Sequence, residues 1–118
     1  IKLINILIDM KDHQIFIHLL IALLFILDSP TIQNVTTSSK KSWIGQIVTL
    51  KCLTDGVPTP TLSWYKPEGS QIKRVRARQS KIQVPLRGDQ DFGHYKCIAA
   101  NGQIPSHEKL ITINQISE

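Results

Sequence analysis

Side chains able to do covalent or metal chemistry are few in this 118-residue chain: two cysteines, four histidines and nine carboxylates. A nucleophilic enzyme needs a serine, threonine or cysteine with a base and an orienting acid within reach. No spacing here suggests such a set. His13 and His18 lie near the start, His94 and His107 near the end. The last two fall on segments that read as neighbouring strands, but two histidines without a third ligand make a poor metal site. Asp89 and Asp91, on one loop, imitate a carboxylate pair. There is no Gly-rich phosphate loop and no C-x-x-C pair. The expectation is a non-enzyme without a metal or cofactor.

The most distinctive charged feature is Lys73-Arg74-Val75-Arg76-Ala77-Arg78. On a strand, Arg74, Arg76 and Arg78 would point the same way, about 6–7 Å apart. These three would make a row of fixed charge suited to a polyanion, with Lys73 a further candidate contact, and residues 72–77 fit the X-B-B-X-B-X pattern (B basic) of heparin-binding segments. The competing role is edge protection, since a charged edge strand resists pairing with other chains. Asn34-Val35-Thr36 is the only N-x-S/T sequon, so Asn34 is a candidate N-glycosylation site. Trp43, before Gly45, either anchors a partner or covers the end of the fold.

The elements that position these residues fall into two unlike parts. Fourteen basic against nine acidic side chains give a formal charge of +5. Up to residue 28, Lys2 and Lys11 are outweighed by Asp9, Asp12 and Asp28, so the surplus lies beyond. Ile15–Leu27 is apolar except for His18. It makes about 20 Å of helix at 1.5 Å per residue, short of the roughly 30 Å hydrocarbon core. No membrane span is expected. The length suits the core of a secretory signal peptide. Met10 and Lys11 stand where a start and a basic n-region would fall. The expected organisation is a hydrophobic leader over residues 1–29, starting biologically at Met10, and one domain over residues 30–118. The alternative for the first part is a greasy strand or helix of a truncated neighbouring domain.

The second part shows no sustained helical period. Ile47–Leu53 alternates, with Val48, Leu50 and Cys52 on one face. Thr61–Lys66, Lys73–Arg78, Ile82–Leu86, Tyr95–Ala99 and Lys109–Asn114 read as further strands. Turn chemistry separates them: Gly56-Val57-Pro58-Thr59-Pro60, Pro67-Glu68-Gly69, Gly88-Asp89-Gln90-Asp91 and Asn101-Gly102. With 42% apolar and 19% charged residues the chain is not a disordered one. Two cysteines exclude a disulfide-dense mini-protein. Seven or eight short strands predict an all-β sandwich, with a barrel as the alternative.

One ordered set of motifs goes further. Gly45-Gln46-Ile47-Val48-Thr49-Leu50-Lys51-Cys52 fits G-x-x-V-x-L-x-C. Gly56-Val57-Pro58-Thr59-Pro60, followed by Trp64-Tyr65-Lys66, fits G-x-P-x-P…W-x-K. Asp91-Phe92-Gly93-His94-Tyr95-Lys96-Cys97 fits D-x-G-x-Y-x-C and continues to Ala99 and Asn101. Residues 30–116 thereby resemble an immunoglobulin domain of the intermediate (I-set) type found in neural cell adhesion molecules and related receptors. The resemblance implies a two-sheet antiparallel sandwich with one inter-sheet disulfide, Cys52–Cys97, and Trp64 packed on it. It implies a tyrosine corner at Tyr95. It places Asp91 and Gly93 in the core signature, with Asp91 paired to Arg76 or Arg78 on the strand before the fifth. The short stretch Pro67–Lys81 argues against long hypervariable loops.

The function so implied is an extracellular, secreted or plasma-membrane-tethered, glycosylated binding module of an adhesion or receptor-type protein. Its partner would be a cell-surface protein, a second copy among them. A sulfated glycosaminoglycan on the basic strand is the alternative ligand, and nucleic acid is not expected outside the cell. A structural I-set domain of an intracellular muscle-type protein is the other alternative, since it carries the same pattern with its thiols reduced.

Overall fold

The strands form where apolar residues recur at every second position, so that one side of each can be buried. The computed structural model describes residues 17–20, which are helical, and residues 27–116. Most of the expected leader lies outside these residues. Eight strands follow in order: β1 (Ile32–Thr37), β2 (Lys41–Ser42), β3 (Ile47–Thr54), β4 (Thr61–Tyr65), β5 (Gln71–Arg76), β6 (Gln79–Pro85), β7 (Gly93–Ala100) and β8 (His107–Gln115). One sheet has the order β1-β3-β6 and the other β2-β8-β7-β4-β5. The pairing is antiparallel throughout except for β2, which runs parallel to β8.

The core lies between the sheets. Val48, Leu50 and Cys52 of β3 and Ile82 and Val84 of β6 meet Leu62 and Trp64 of β4 and Tyr95, Cys97 and Ala99 of β7. Cys52 and Cys97 are bridged with their Cα atoms 6.5 Å apart. Trp64 lies directly across from Cys97 in the β4–β7 ladder, so its ring packs beside the bridge. Its indole N–H finds no hydrogen-bond partner among the described residues.

The chain between β4 and β6 makes a single strand, and that strand joins the five-stranded sheet. Val75 opposite Leu62 supplies its inward anchor. In consequence β6 is left as one edge of the three-stranded sheet, with β1 as the other. β5 ends at Arg76, two residues short of the span expected from the alternating sequence. At the other end, the folded unit starts upstream of Pro30. Asp28 and Val57 exchange backbone hydrogen bonds of 2.9 and 3.0 Å, and Pro30 is buried.

Candidate functional site

With Leu62, Trp64, Tyr95, Cys97 and Ala99 facing in, their neighbours must face out. The ladders then line up an outer face row by row. Tyr65 of β4 pairs with Lys96 of β7, and Lys96 with Leu110 of β8. Ser63 pairs with Ile98, and Ile98 with Glu108. On the β5 side, Arg74 stands opposite Ser63 and Arg76 opposite Thr61.

This face is neither plainly polar nor plainly apolar. Leu110 is 58% exposed on β8, opposite Lys96. Beside it the Lys96 ammonium lies 5.6 Å from the centre of the Tyr65 ring, a cation–π contact. Tyr65 Oη donates to Gln71 Oε1 at 3.4 Å, and His94 Nδ1 meets Thr112 Oγ1 at 2.6 Å. The face thus offers an exposed apolar side chain on one side, an aromatic–lysine contact beside it and a cationic flank at Arg74 and Arg76, which suits a mixed apolar and acidic counter-surface. The adjoining hairpin loop carries Ile104, 92% exposed.

The basic row expected along one face is divided by the fold. Arg74 and Arg76 share the outer face. Lys73 lies on the opposite side of β5, across from Trp64, and its Nζ donates to the Lys81 carbonyl at 3.2 Å. Arg78 falls beyond the strand, and its guanidinium donates to Gly56 O at 2.9 Å. The alternation that would have aligned Arg78 stops because the chain there crosses between sheets: Ala77 N donates to Pro60 O and Thr54 N to Arg78 O.

Asp91 also departs from expectation. It sits in a short 3-10 turn, Asp89–Asp91, between β6 and β7. Its carboxylate accepts the backbone N–H groups of Arg87 at 2.8 Å and Gly88 at 3.2 Å, not an arginine side chain. Two donors within the same loop satisfy the charge locally. Tyr95 Oη donates to the Asp91 backbone carbonyl at 2.6 Å, fully buried. Burial first, then the Asp91 charge, pushes the Tyr95 phenol up to about 12. Gly93 adopts φ 127°, a region that L side chains avoid, and an added Cβ would stand 3.3 Å from Pro67.

Of the residues weighed for metal binding, His94 faces out and His107 faces in. The latter's Nδ1 accepts Ile32 N–H at 2.7 Å. Asn34 is exposed on the outer side of β1, paired with Leu53. Trp43 is 55% exposed and, with Ile44 and Ile116, lines an open hollow where β8 ends.

Asn101 is the residue that sequence reasoning undervalued. Read as part of a hairpin turn, it is instead a clamp. Its Nδ2 donates to Asp28 O at 2.7 Å and Pro58 O at 3.0 Å, while Oδ1 accepts Gln103 N–H. Gly56 makes room for it: a Cβ there would lie 3.1 Å from Asn101 Nδ2. An Asn before Gly signals a turn, and nothing in the sequence spacing shows which distant carbonyls its amide reaches.

The profile described as "Immunoglobulin domain" matches residues 29–101, well over half of the chain. The rat neuronal cell adhesion molecule is 34% identical over 76 residues, 62% of this chain and 6% of that protein. The mouse neural cell adhesion molecule L1-like protein is 32% identical over 92 residues, 73% of this chain and 7% of its own length. This chain therefore spans only a small part of these relatives. Among solved structures, the titin Z1Z2 chimera superposes with a TM-score of 0.64 at 18% identity, covering 78% of this chain and 98% of that one. Its likeness is one of fold alone. Dpr2 Ig1-Ig2, solved in complex with DIP-Theta, gives a TM-score of 0.57 at 28% identity over 75% of this chain and 32% of that chain. By its profile, its bridged two-sheet sandwich and its relatives, this chain belongs to the immunoglobulin-domain family and resembles the domains of neural cell adhesion molecules.

Proposed function

We propose that the chain is an extracellular, non-catalytic recognition module of a cell-adhesion or receptor-type protein, engaging a protein partner through the outer face of the five-stranded sheet. The observation that carries this reading is Leu110. It stands exposed on β8, opposite Lys96 of the Tyr65–Lys96 contact and diagonal to Ile98, with Arg74 and Arg76 further across the same face. A well-packed apolar centre inside a polar rim is the anatomy of an interface hot spot. The cell adhesion relatives support the class, and the Dpr2–DIP-Theta complex is a case of the same fold meeting a protein partner.

The Cys52–Cys97 bridge favours an oxidising compartment over the cytoplasm. It weighs against the structural muscle-type reading, which the titin likeness supports through fold only. The leader reading places a secretory core at Ile15–Leu27. A glycan on Asn34 would project from the three-stranded sheet and leave the opposite face open.

Bead aggregation tests the face. Beads carrying the chain are mixed with like beads, and with beads carrying the neuronal cell adhesion molecule ectodomain. Leu110→Asp is expected to lower aggregation at least tenfold with the melting temperature nearly unchanged, because the side chain is exposed. Aggregation equal to the parent's in both mixtures would overturn the assignment of this face.

A further inference from the structure

Strands β3, β5 and β6 together carry five basic side chains, Lys51, Lys73, Arg74, Arg76 and Lys81, and no acid. Three of the five are brought together by the fold from distant parts of the sequence. Lys51 and Lys81 are cross-strand partners. Leu50 and Cys52 on one side, and Ser80 and Ile82 on the other, are buried, so both lysines face solvent.

The register makes that pair a close one. Thr54 N donates to Arg78 O, and Leu86 N donates to Gln46 O. Bonded and non-bonded pairs alternate along an antiparallel ladder. Counting inward from either end puts Lys51–Lys81 at a non-bonded pair, where Cα atoms approach to about 4.5 Å and side chains are nearest. Like charges directly opposite destabilise a sheet.

The third ammonium comes from the other sheet. β5 and β6 are open edges of their respective sheets, and Lys73 reaches across the seam to the Lys81 carbonyl. A small hollow opens along the same seam, with Lys66 and Arg87 in its wall beside Asp91, whose carboxylate is taken up by the Arg87 and Gly88 amides.

We propose that the seam between β5 and β6 is a polyanion site, centred on Lys51, Lys73 and Lys81, that takes a sulfated polysaccharide. Lysine ammoniums are compact point charges that need no fixed fork geometry, so three of them brought together from two sheets suit a flexible chain that repeats its anionic groups. The three strands hold no aromatic residue on which a base could stack. That argues against a single-stranded nucleic acid. The site takes from the extracellular reading only the source of its ligand. It lies apart from the Leu110 face, so the two can fail separately.

The test uses the disulfide-bonded chain and a heparin dodecasaccharide, with binding measured by calorimetry across a salt series and stability by thermal melting. Lys51→Gln with Lys81→Gln is expected to lower heparin affinity at least tenfold and flatten its salt dependence. Without ligand this variant should melt no lower than the parent, because a repulsion has been removed. Lys73→Gln should weaken binding several-fold. Lys40→Gln with Lys41→Gln, on the opposite edge, should stay within twofold of the parent. An equal loss in that control pair, equally tight binding of an oligothymidylate or a polyglutamate of matching charge, or no heparin binding by the parent would each overturn the proposal.

Discussion

Tyr95 and Trp64 show how much of the core individual residues encode. Both were legible as inward positions on strands bounded by turns, and both are fully buried. Trp64→Ala is expected to cost about 3–5 kcal/mol, since it removes the largest buried side chain and leaves a cavity beside the bridge. Tyr95→Phe should cost on the order of 1 kcal/mol, for one lost hydrogen bond; denaturant unfolding of both variants checks the ranking. The phenol also makes stability depend on pH. Its folded pKa is raised from 10.0 to about 12, so the protonated form is favoured by folding. The stability this contributes is intact below about pH 10 and is lost as pH climbs towards 12. Melting curves between pH 9 and 12 should fall more steeply for the parent than for Tyr95→Phe, and parallel slopes would contradict the assignment. The partner of Asp91 was not legible. A carboxylate in a turn can be met by an arginine or by nearby amides, and the choice depends on how the loop places its own N–H groups.

Among the elements, the β7–β8 hairpin and the N-terminal segment depend on each other through Asn101. Two carbonyls, Asp28 O and Pro58 O, share its amide. Asn101→Ala is expected to destabilise the domain by about 1–2 kcal/mol, because Pro58 O loses its side-chain donor and Asp28 O keeps only the Val57 N–H. Hydrogen exchange reads the effect where it belongs. The Asp28 and Val57 amides, which hold the isolated bridge, should exchange at least tenfold faster, while the β3–β6 amides should change far less. Exchange quickened equally throughout would mean that Asn101 acts on the whole fold and not as a local clamp. The strand spans were close to those expected from alternation, but their ends were not. β5 stops where its chain must cross to the other sheet, and β6 starts earlier because Thr54 offers it a ladder partner at Arg78.

For the whole molecule, the single bridge closes a loop of 45 residues. In the chain-entropy account such a loop contributes about 4 kcal/mol, a large share of the roughly 5–15 kcal/mol net stability usual for a domain. Reduction should therefore lower the denaturant midpoint sharply and raise the intact mass by two hydrogens. An unchanged midpoint would contradict a stabilising bridge. Alternation, turn residues and the order of the Cys, Trp, Tyr and Cys positions were enough to assign the sandwich, its core and the family it belongs to. These are properties of short segments, written in a period of two and in residue types that few other folds place in that order. The surfaces were decided by tertiary structure. The row Arg74, Arg76 and Arg78 looked continuous in the sequence, yet Arg78 turns away with the chain. Lys51 and Lys81 looked unrelated, yet they stand side by side. Adjacency across strands is set by register and by which sheet an edge strand joins, and both follow from packing between residues far apart in the chain.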